Sequence, residues 1–316
     1  MSEKSLHPAA LILGFIRIKG IKELIESCLQ NDVLRIYISL DGARNKEEHL
    51  TQLEIIKMIN GFQVNCKATI NLLVRERNLG VGAGVISGID WFFSQEPSGH
   101  ILEDDLSLGS DFFKFSREAL NRFKNDNKVK VISGTQLLTN LSESNKAYWC
   151  NYPIIWGWST WSDKWIQMRG GLFRKKSYKI FGQGAILNNY WAVGGNRVLK
   201  GKVDTWDTPL AAEFLREQWL CLIPPVNLVS NTGNDIYASH TTKVNKSLNL
   251  PLFKLKNNTD FDFNRNNSSV AIYNNTLEKS IFNIRIRHFL IPIYSFMFDF
   301  LRYRTVKPQL ELRINL

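Results

Sequence analysis

GHILEDDL, residues 99–106, is a short apolar run that ends in three adjacent carboxylates, Glu103, Asp104 and Asp105. Its apolar part reads as a buried strand, so the acids fall at a strand's carboxyl end. Upstream, the chain alternates between two kinds of segment. Ala9–Ile16, Leu34–Leu40 and Ala68–Val74 are short apolar runs rich in strand formers. Between and after them, Ile18–Gln30, Lys46–Ile59 and Gly84–Gln95 carry apolar residues at helical spacing. The predicted inward faces are Ile21, Leu24, Ile25 and Cys28, then Leu50, Leu53, Ile56 and Ile59, then Val85, Ile89, Phe92 and Phe93. Strand and helix in turn predict an α/β fold with a mostly parallel sheet and helices on both faces. Ligands of such sheets bind beyond the carboxyl ends of the strands, where the acidic triplet falls.

Three neighbouring carboxylates repel one another and need either full solvation or a cation. Hard oxygen ligands suit Mn²⁺ or Mg²⁺, which in turn bridge diphosphate oxygens. A solvated acidic turn is the plainer alternative.

Further along, Asp111–Lys124 reads as a helix and Val129–Gly134 as a strand. Trp149–Trp165 is aromatic and irregular, Asn188–Lys200 and Leu210–Leu220 read as helices, and Leu222–Val229 as a strand. Asn245–Asn275 contains nine asparagines and few large apolar residues, the composition of an extended connector. Beyond it, basic residues (Arg285, Arg287, His288, Arg302, Arg304) flank FLIPIYSFMFDFL, interrupted by Pro292 and Asp299. That basic-aromatic helical tail either lies on a membrane surface or packs on the domain. The expected organisation is a catalytic domain over 1–244, a connector over 245–276 and an amphipathic tail over 277–316.

Composition narrows the functional classes. The 316 residues are 44% hydrophobic, enough for a substantial core. A net charge of +11 attracts anions, whether nucleic acid, acidic lipid or phosphorylated metabolites. Nucleic acid is disfavoured, because no zinc-finger spacing, no aromatic RNA-binding signature and no dense basic block occurs. Cys28, Cys66, Cys150 and Cys221 form no C-x-x-C clip, which fits a reducing compartment. No signal-peptide pattern and no run of about 20 apolar residues is seen. The expected location is cytoplasmic, on the inner face of the membrane if the tail lies on lipid rather than on the domain.

Several ordered motifs accompany the triplet: GFIR at 14–17, SLDGARN at 39–45, RNLG at 77–80, ILEDDLSLGSDFF at 101–113, WGWSTW at 156–161, DTWD at 204–207, and PPVNLVSNTG at 224–233 followed by His240. In this order the chain resembles GT-A fold glycosyltransferases from Ala9 to Thr242, particularly bacterial family-2-like sugar transferases and, more distantly, the N-acetylglucosaminyltransferase I family. The resemblance implies a Rossmann-like GT-A domain that moves a hexosyl or N-acetylhexosaminyl group from a nucleotide-sugar, such as a UDP-sugar, to a glycan or lipid-linked acceptor. Surface polysaccharide or lipopolysaccharide assembly is the implied setting. It places Arg17, Asp41, Arg44, Asn78, Glu103, Asp104, Trp156, Gly157 and Trp158 around the nucleotide-sugar. It gives Asp105 and His240 to the metal, and Asp207 with Asp204 to catalysis, with Asp207 as the base of an inverting displacement.

The chain departs from the pattern at Val81-Gly82-Ala83-Gly84, where related enzymes often carry polar residues. GVGAG is not a dinucleotide fingerprint, because its glycine spacing is wrong. Two rivals stand beside the transferase. Nucleotidyl transfer calls for a Gly-rich phosphate loop near the first strand, which AALILGFIRIKG lacks. A non-catalytic glycan- or lipid-binding module would bind sugar without releasing nucleotide.

Overall fold

The structure is a computed structural model that describes residues 7–138, 145–172, 185–232, 250–255 and 260–282. Its centre is an eight-stranded sheet in the order β3-β2-β1-β4-β8-β6-β9-β7. The strands are β1 (Ala9–Gly14), β2 (Arg35–Leu40), β3 (Thr69–Val74), β4 (Ser98–Glu103), β6 (Val129–Ser133), β7 (Tyr148–Cys150), β8 (Trp158–Trp161) and β9 (Leu220–Ile223). The first four run parallel, and β8 inserts antiparallel between β4 and β6. β9 is parallel to β6, and β7 closes that edge antiparallel. A separate ribbon pairs β5 (Leu106–Leu108) with β10 (Val229–Asn231).

Side-chain alternation along β1 separates two cores. Ala9, Leu11 and Leu13 face one cluster, and Ala10 and Ile12 the other, as the twofold period of a strand requires. Helices α1 (Ile18–Gln30), α2 (Lys46–Asn65) and α4 (Phe112–Phe123) cover the second face. Helices α3 (Gly80–Phe93), α5 (Ser162–Leu172), α6 (Ala185–Leu199) and α7 (Asp207–Glu217) cover the first. This is the expected mixed α/β layout, a mostly parallel sheet with helices on both sides.

Four elements differ from their sequence reading. Helix α2 does not bury Leu50 and Leu53, which are 53% and 47% exposed; it buries Glu48, Gln52, Ile55 and Ile59. Two hydrogen-bonded polar side chains turn the helix: Glu48 holds Arg44, and Gln52 holds the carbonyls of Phe15 and Asp41. The stretch 149–165 contains β8, whose four residues are all buried, with Trp158 in one core and Trp161 in the other. The expected strand over 222–229 is two strands, since Pro224 and Pro225 cannot donate to a ladder.

The fourth difference is at the Asn-rich connector, whose end folds as helix α8 (Asn267–Ser280). Asn266 caps it by accepting from the Ser268 N–H at 2.8 Å. Val270, Tyr273 and Leu277 are buried beside β7, so the helix shields the sheet's open edge. Asn274 exchanges two 2.9 Å hydrogen bonds with Asn151. Here asparagine serves capping and edge satisfaction rather than disorder. The basic-aromatic tail from 283 onward lies outside the described residues. Among the described residues, no helix is long and apolar enough to cross a membrane.

Candidate active site

The acidic triplet leaves β4 at the carboxyl end of the parallel strands. The Asp104 N–H extends the β1–β4 ladder by donating to the Leu13 carbonyl at 3.0 Å. Its carboxylate then takes the Phe15 N–H on Oδ2 at 2.8 Å and Arg17 Nη1 on Oδ1 at 2.9 Å. Arg17 is the N-cap of α1, so the positive end of that helix also faces the acids. The approach is close enough to exclude a side chain at Gly20, whose Cβ would sit 1.8 Å from the Asp104 carbonyl oxygen. Burial holds the Asp104 carboxyl above its ordinary range even so, with Arg17 opposing.

The neighbours of Asp104 differ in partners. Asp105 is fastened by its backbone: its carbonyl accepts from the Thr232 N–H at 2.8 Å and the Thr232 hydroxyl at 3.0 Å. Its Oδ1 is buried with no hydrogen-bond partner. Burial, then the charge of Asp104, pushes the Asp105 carboxyl up to about 6, against Arg17 and Asn231. Glu103 is pushed up to about 8 by burial, then by Asp105, Asp104 and Asp207. Asp207 therefore lies within electrostatic reach of the triplet.

Asp207 opens α7 and is exposed. Its Oδ1 accepts from the Thr205 hydroxyl at 2.6 Å, the Thr208 N–H at 2.5 Å and the Thr208 hydroxyl at 3.2 Å. The preceding residue, Trp206, is buried and stacks on Trp158 at 6.0 Å between ring centroids, with Trp165 edge-on at 6.3 Å. This aromatic wedge fixes where α7 begins. Trp158, expected at the nucleotide-sugar, has no exposed surface and packs in the core. Gly157, also expected there, directly precedes β8. It has φ +60°, a conformation suited to glycine, and a Cβ there would press within 2.8 Å of Val229. Trp156 remains half-buried, its carbonyl held by the Thr135 hydroxyl at 2.7 Å.

Asp41 and Asp204 have a shared task. An α-helix leaves its first N–H groups without intrahelical partners. In α3, the N–H groups of Leu79 and Gly80 go to Asp41 at 2.8 and 3.1 Å, and those of Val81 and Gly82 go to Asp204, both at 3.1 Å. Asp204, expected beside the catalytic base, has both oxygens committed to the backbone. The structure thus places it at the start of α3, joined to the backbone there. Asn78 braces the same loop by donating to the Gly42 carbonyl at 2.9 Å.

Beside this loop, Arg44 lies over the Phe15 ring at 4.9 Å and pairs with Glu48 at 2.9 Å. It borders an open cleft of about 540 Å³ at the ends of β2 and β3, with Lys46, His49, Gln52 and Arg75 among its lining residues. His240, expected at the metal, lies outside the described residues. Among the described residues, no three His, Cys, Asp or Glu side chains converge as a closed metal cage. The unpartnered Asp105 oxygen still fits a divalent ion of the Mg²⁺ type, which is held by one or two carboxylates and completed by water and phosphate oxygens.

Sequence reasoning missed Gln52, Gly20, Gly82 and Trp206. Gln52 is buried and joins the ends of β1 and β2 by donating to the Phe15 carbonyl at 3.3 Å and the Asp41 carbonyl at 2.6 Å. Its one visible signal was a polar pair, Glu48 and Gln52, at i,i+4 spacing.

No protein-family model matches this sequence, and no curated protein matches it. Among solved structures, the chain is similar to GalNAc-T7 with UDP, GalNAc and Mn²⁺, at 10% identity and TM-score 0.43, over 71% of this chain and 44% of that one. It is also similar to HddC from Yersinia pseudotuberculosis, at 10% identity and TM-score 0.30, over 49% and 77% of the two chains. A third is a candidate glucose-1-phosphate thymidylyltransferase from Bacillus anthracis in complex with a sucrose, at 11% identity and TM-score 0.33, over 59% and 82%. The chain thus spans less than half of GalNAc-T7. Likenesses this faint carry no shared activity.

Proposed function

We propose that this protein is a metal-dependent glycosyltransferase that uses a nucleotide-sugar, such as a UDP-sugar, and a glycan or lipid-linked acceptor. The observation that carries the reading is the buried, unpartnered Asp105 oxygen at the carboxyl end of β4, in an acidic cluster within electrostatic reach of Asp207. Crowded carboxylates with raised pKa values call for a cation, and a nucleoside diphosphate supplies the remaining oxygens such a cation needs.

In this reading the cleft beside Arg44 and Arg75 receives the nucleoside, and Asp105 together with the diphosphate holds Mn²⁺ or Mg²⁺. Such an ion would supply positive charge beside the diphosphate leaving group. Asp207, whose Oδ1 is held by the two threonines, presents its other oxygen to the acceptor hydroxyl. As that hydroxyl attacks the anomeric carbon, its proton passes to Asp207. The new C–O bond forms as the bond to the diphosphate breaks, with inversion. Half-buried Trp156 carries a flat apolar ring of the kind that suits a sugar. Assembly of surface polysaccharide or lipopolysaccharide, at the inner face of the membrane, is the setting this chemistry suits.

The rival is a glycan- or lipid-binding module derived from a transferase, favoured by the commitment of Asp41 and Asp204 to α3. Calorimetry with UDP, GDP, dTDP and CMP, with and without Mn²⁺, separates the two. The transferase reading predicts binding of one nucleotide that strengthens at least about tenfold with Mn²⁺ and loses that gain in Asp105→Ala. Metal-independent binding of sugars alone, with no nucleotide bound, would support the module.

A further inference from the structure

We infer that Asp204 is a positioning residue for Asp207, acting through the first turn of α3. This inference rests on the transferase reading above and adds a role to that site.

The segment between α6 and α7 is short and is tied at both ends. At its start, Gly201 takes φ +65° and the Lys202 N–H returns to the Arg197 carbonyl at 2.9 Å, ending α6. At its end, Trp206 is buried against Trp158 and Trp165. Asp204 is the anchor between them. Its two oxygens take the N–H groups of Val81 and Gly82, each at 3.1 Å, across 122–123 residues of sequence. Gly82 makes the approach possible, since a Cβ there would lie 2.8 Å from Asp204 Oδ1. The adjoining N–H groups of α3 belong to Asp41, at the end of β2. One helix terminus therefore joins the nucleoside side of the site to the segment that carries Asp207. Thr205 completes the connection: it follows Asp204 directly, and its hydroxyl donates to Asp207 Oδ1 at 2.6 Å.

A general base displaced by about 1 Å loses on the order of 10²-fold in rate. Releasing Asp204 should therefore lower turnover and leave nucleotide binding unchanged. The test measures nucleotide release from a panel of UDP-, GDP-, dTDP- and CMP-sugars with Mn²⁺, using full-length wild type, Asp204→Ala, Asp204→Asn, Gly82→Ala, Asp207→Asn and the Asp204→Ala/Asp207→Asn double variant. Asp204→Ala is expected to lose about 10–100-fold in rate at saturating donor, while its affinity for the free nucleoside diphosphate moves less than about threefold. Gly82→Ala, which pushes on the same clamp from the other side, should show the same split. Asp204→Asn keeps one acceptor oxygen and should recover part of the rate. In the Asp207→Asn background, Asp204→Ala should cost nothing further, because a residue that acts through another has no effect once that other is gone.

Losses that multiply in the double variant would overturn the inference. So would an unchanged rate in Asp204→Ala, or a loss confined to nucleotide affinity. A wild type that releases no nucleotide from any donor overturns the transferase reading and the positioning role together.

Discussion

At the scale of single residues, the site is a set of carboxylates with different tasks, set by what touches them. Asp104 is neutralised by Arg17 and a backbone N–H, whereas Asp105 keeps an oxygen that nothing satisfies. Removing that charge should stabilise the metal-free fold, because the remaining acids repel less. Asp105→Asn is therefore expected to raise the Tm without metal by a few degrees, on the order of 0.5–1 kcal/mol, and to abolish the Tm shift that Mn²⁺ gives wild type. Differential scanning fluorimetry with and without Mn²⁺ reads both effects; a lower metal-free Tm would count against a metal role. The tryptophans separate in the same way. Trp158→Ala should cost about 3–5 kcal/mol in chemical denaturation, as for a fully buried ring, while Trp156→Ala should cost no more than about 1 kcal/mol. Neither rank was visible in WGWSTW, because the two positions are alike in type and differ only in how β8 inserts between β4 and β6.

His100 adds a pH dependence at this scale. It lies in β4 between Phe112 and Phe113, with Nδ1 on the Ser159 hydroxyl at 2.8 Å, and burial with the charge of Arg117 lowers its pKa to about 3. In the unfolded chain a histidine protonates near 6.5, so between that pH and about 3 the unfolded state binds the extra proton. Stability should fall by about 1.4 kcal/mol per pH unit across this window and level off below it. Urea denaturation from pH 7 to 4 should show the slope, and His100→Gln should flatten it. An equal slope in the variant would assign acid lability to other groups.

At the scale of elements, the alternating first hundred residues were legible because β1, β2 and β4 are buried on both faces and the helices between them mainly on one. The range predicted for α1 matches the observed Ile18–Gln30, with Ile21, Leu24, Ile25 and Cys28 buried as expected. What failed did so where hydrogen bonding outweighed hydrophobic periodicity. Helix α2 turns Leu50 and Leu53 outward so that Glu48 and Gln52 can reach strand-end groups. Helix α8 formed in a stretch too polar to suggest it, because Asn266 caps it and β7 needed cover. Gly20 in α1 and Gly82 and Gly84 in α3 mark where a helix start meets backbone or carboxylate. Gly20→Ala would set a methyl against a backbone carbonyl that cannot move aside, and is expected to cost several kcal/mol, beyond the ~1–3 kcal/mol usual for overpacking. A loss below about 1 kcal/mol in urea denaturation would mean that α1 shifts freely away from the triplet.

At the scale of the molecule, one sheet brings two distant stretches to a common edge. Strands β1, β2 and β4 deliver Arg17, Asp41 and the acidic triplet, and the chain from 204 to 232 returns with Asp207 and the Thr232 clamp on Asp105. The net charge of +11 suits a substrate that carries a diphosphate. The triplet's position could be read from sequence because the strand before it is unmistakable. The commitment of Asp204 to α3 could not, since it depends on a contact across more than a hundred residues. The most direct test incubates the purified protein with UDP-, GDP-, dTDP- and CMP-sugars plus Mn²⁺ or Mg²⁺ and measures free nucleotide, beside Asp105→Ala and an EDTA control. The account predicts metal-dependent release from one donor class, lost in the variant and with EDTA. Release that persists in EDTA, or that Asp105→Ala leaves intact, would contradict it.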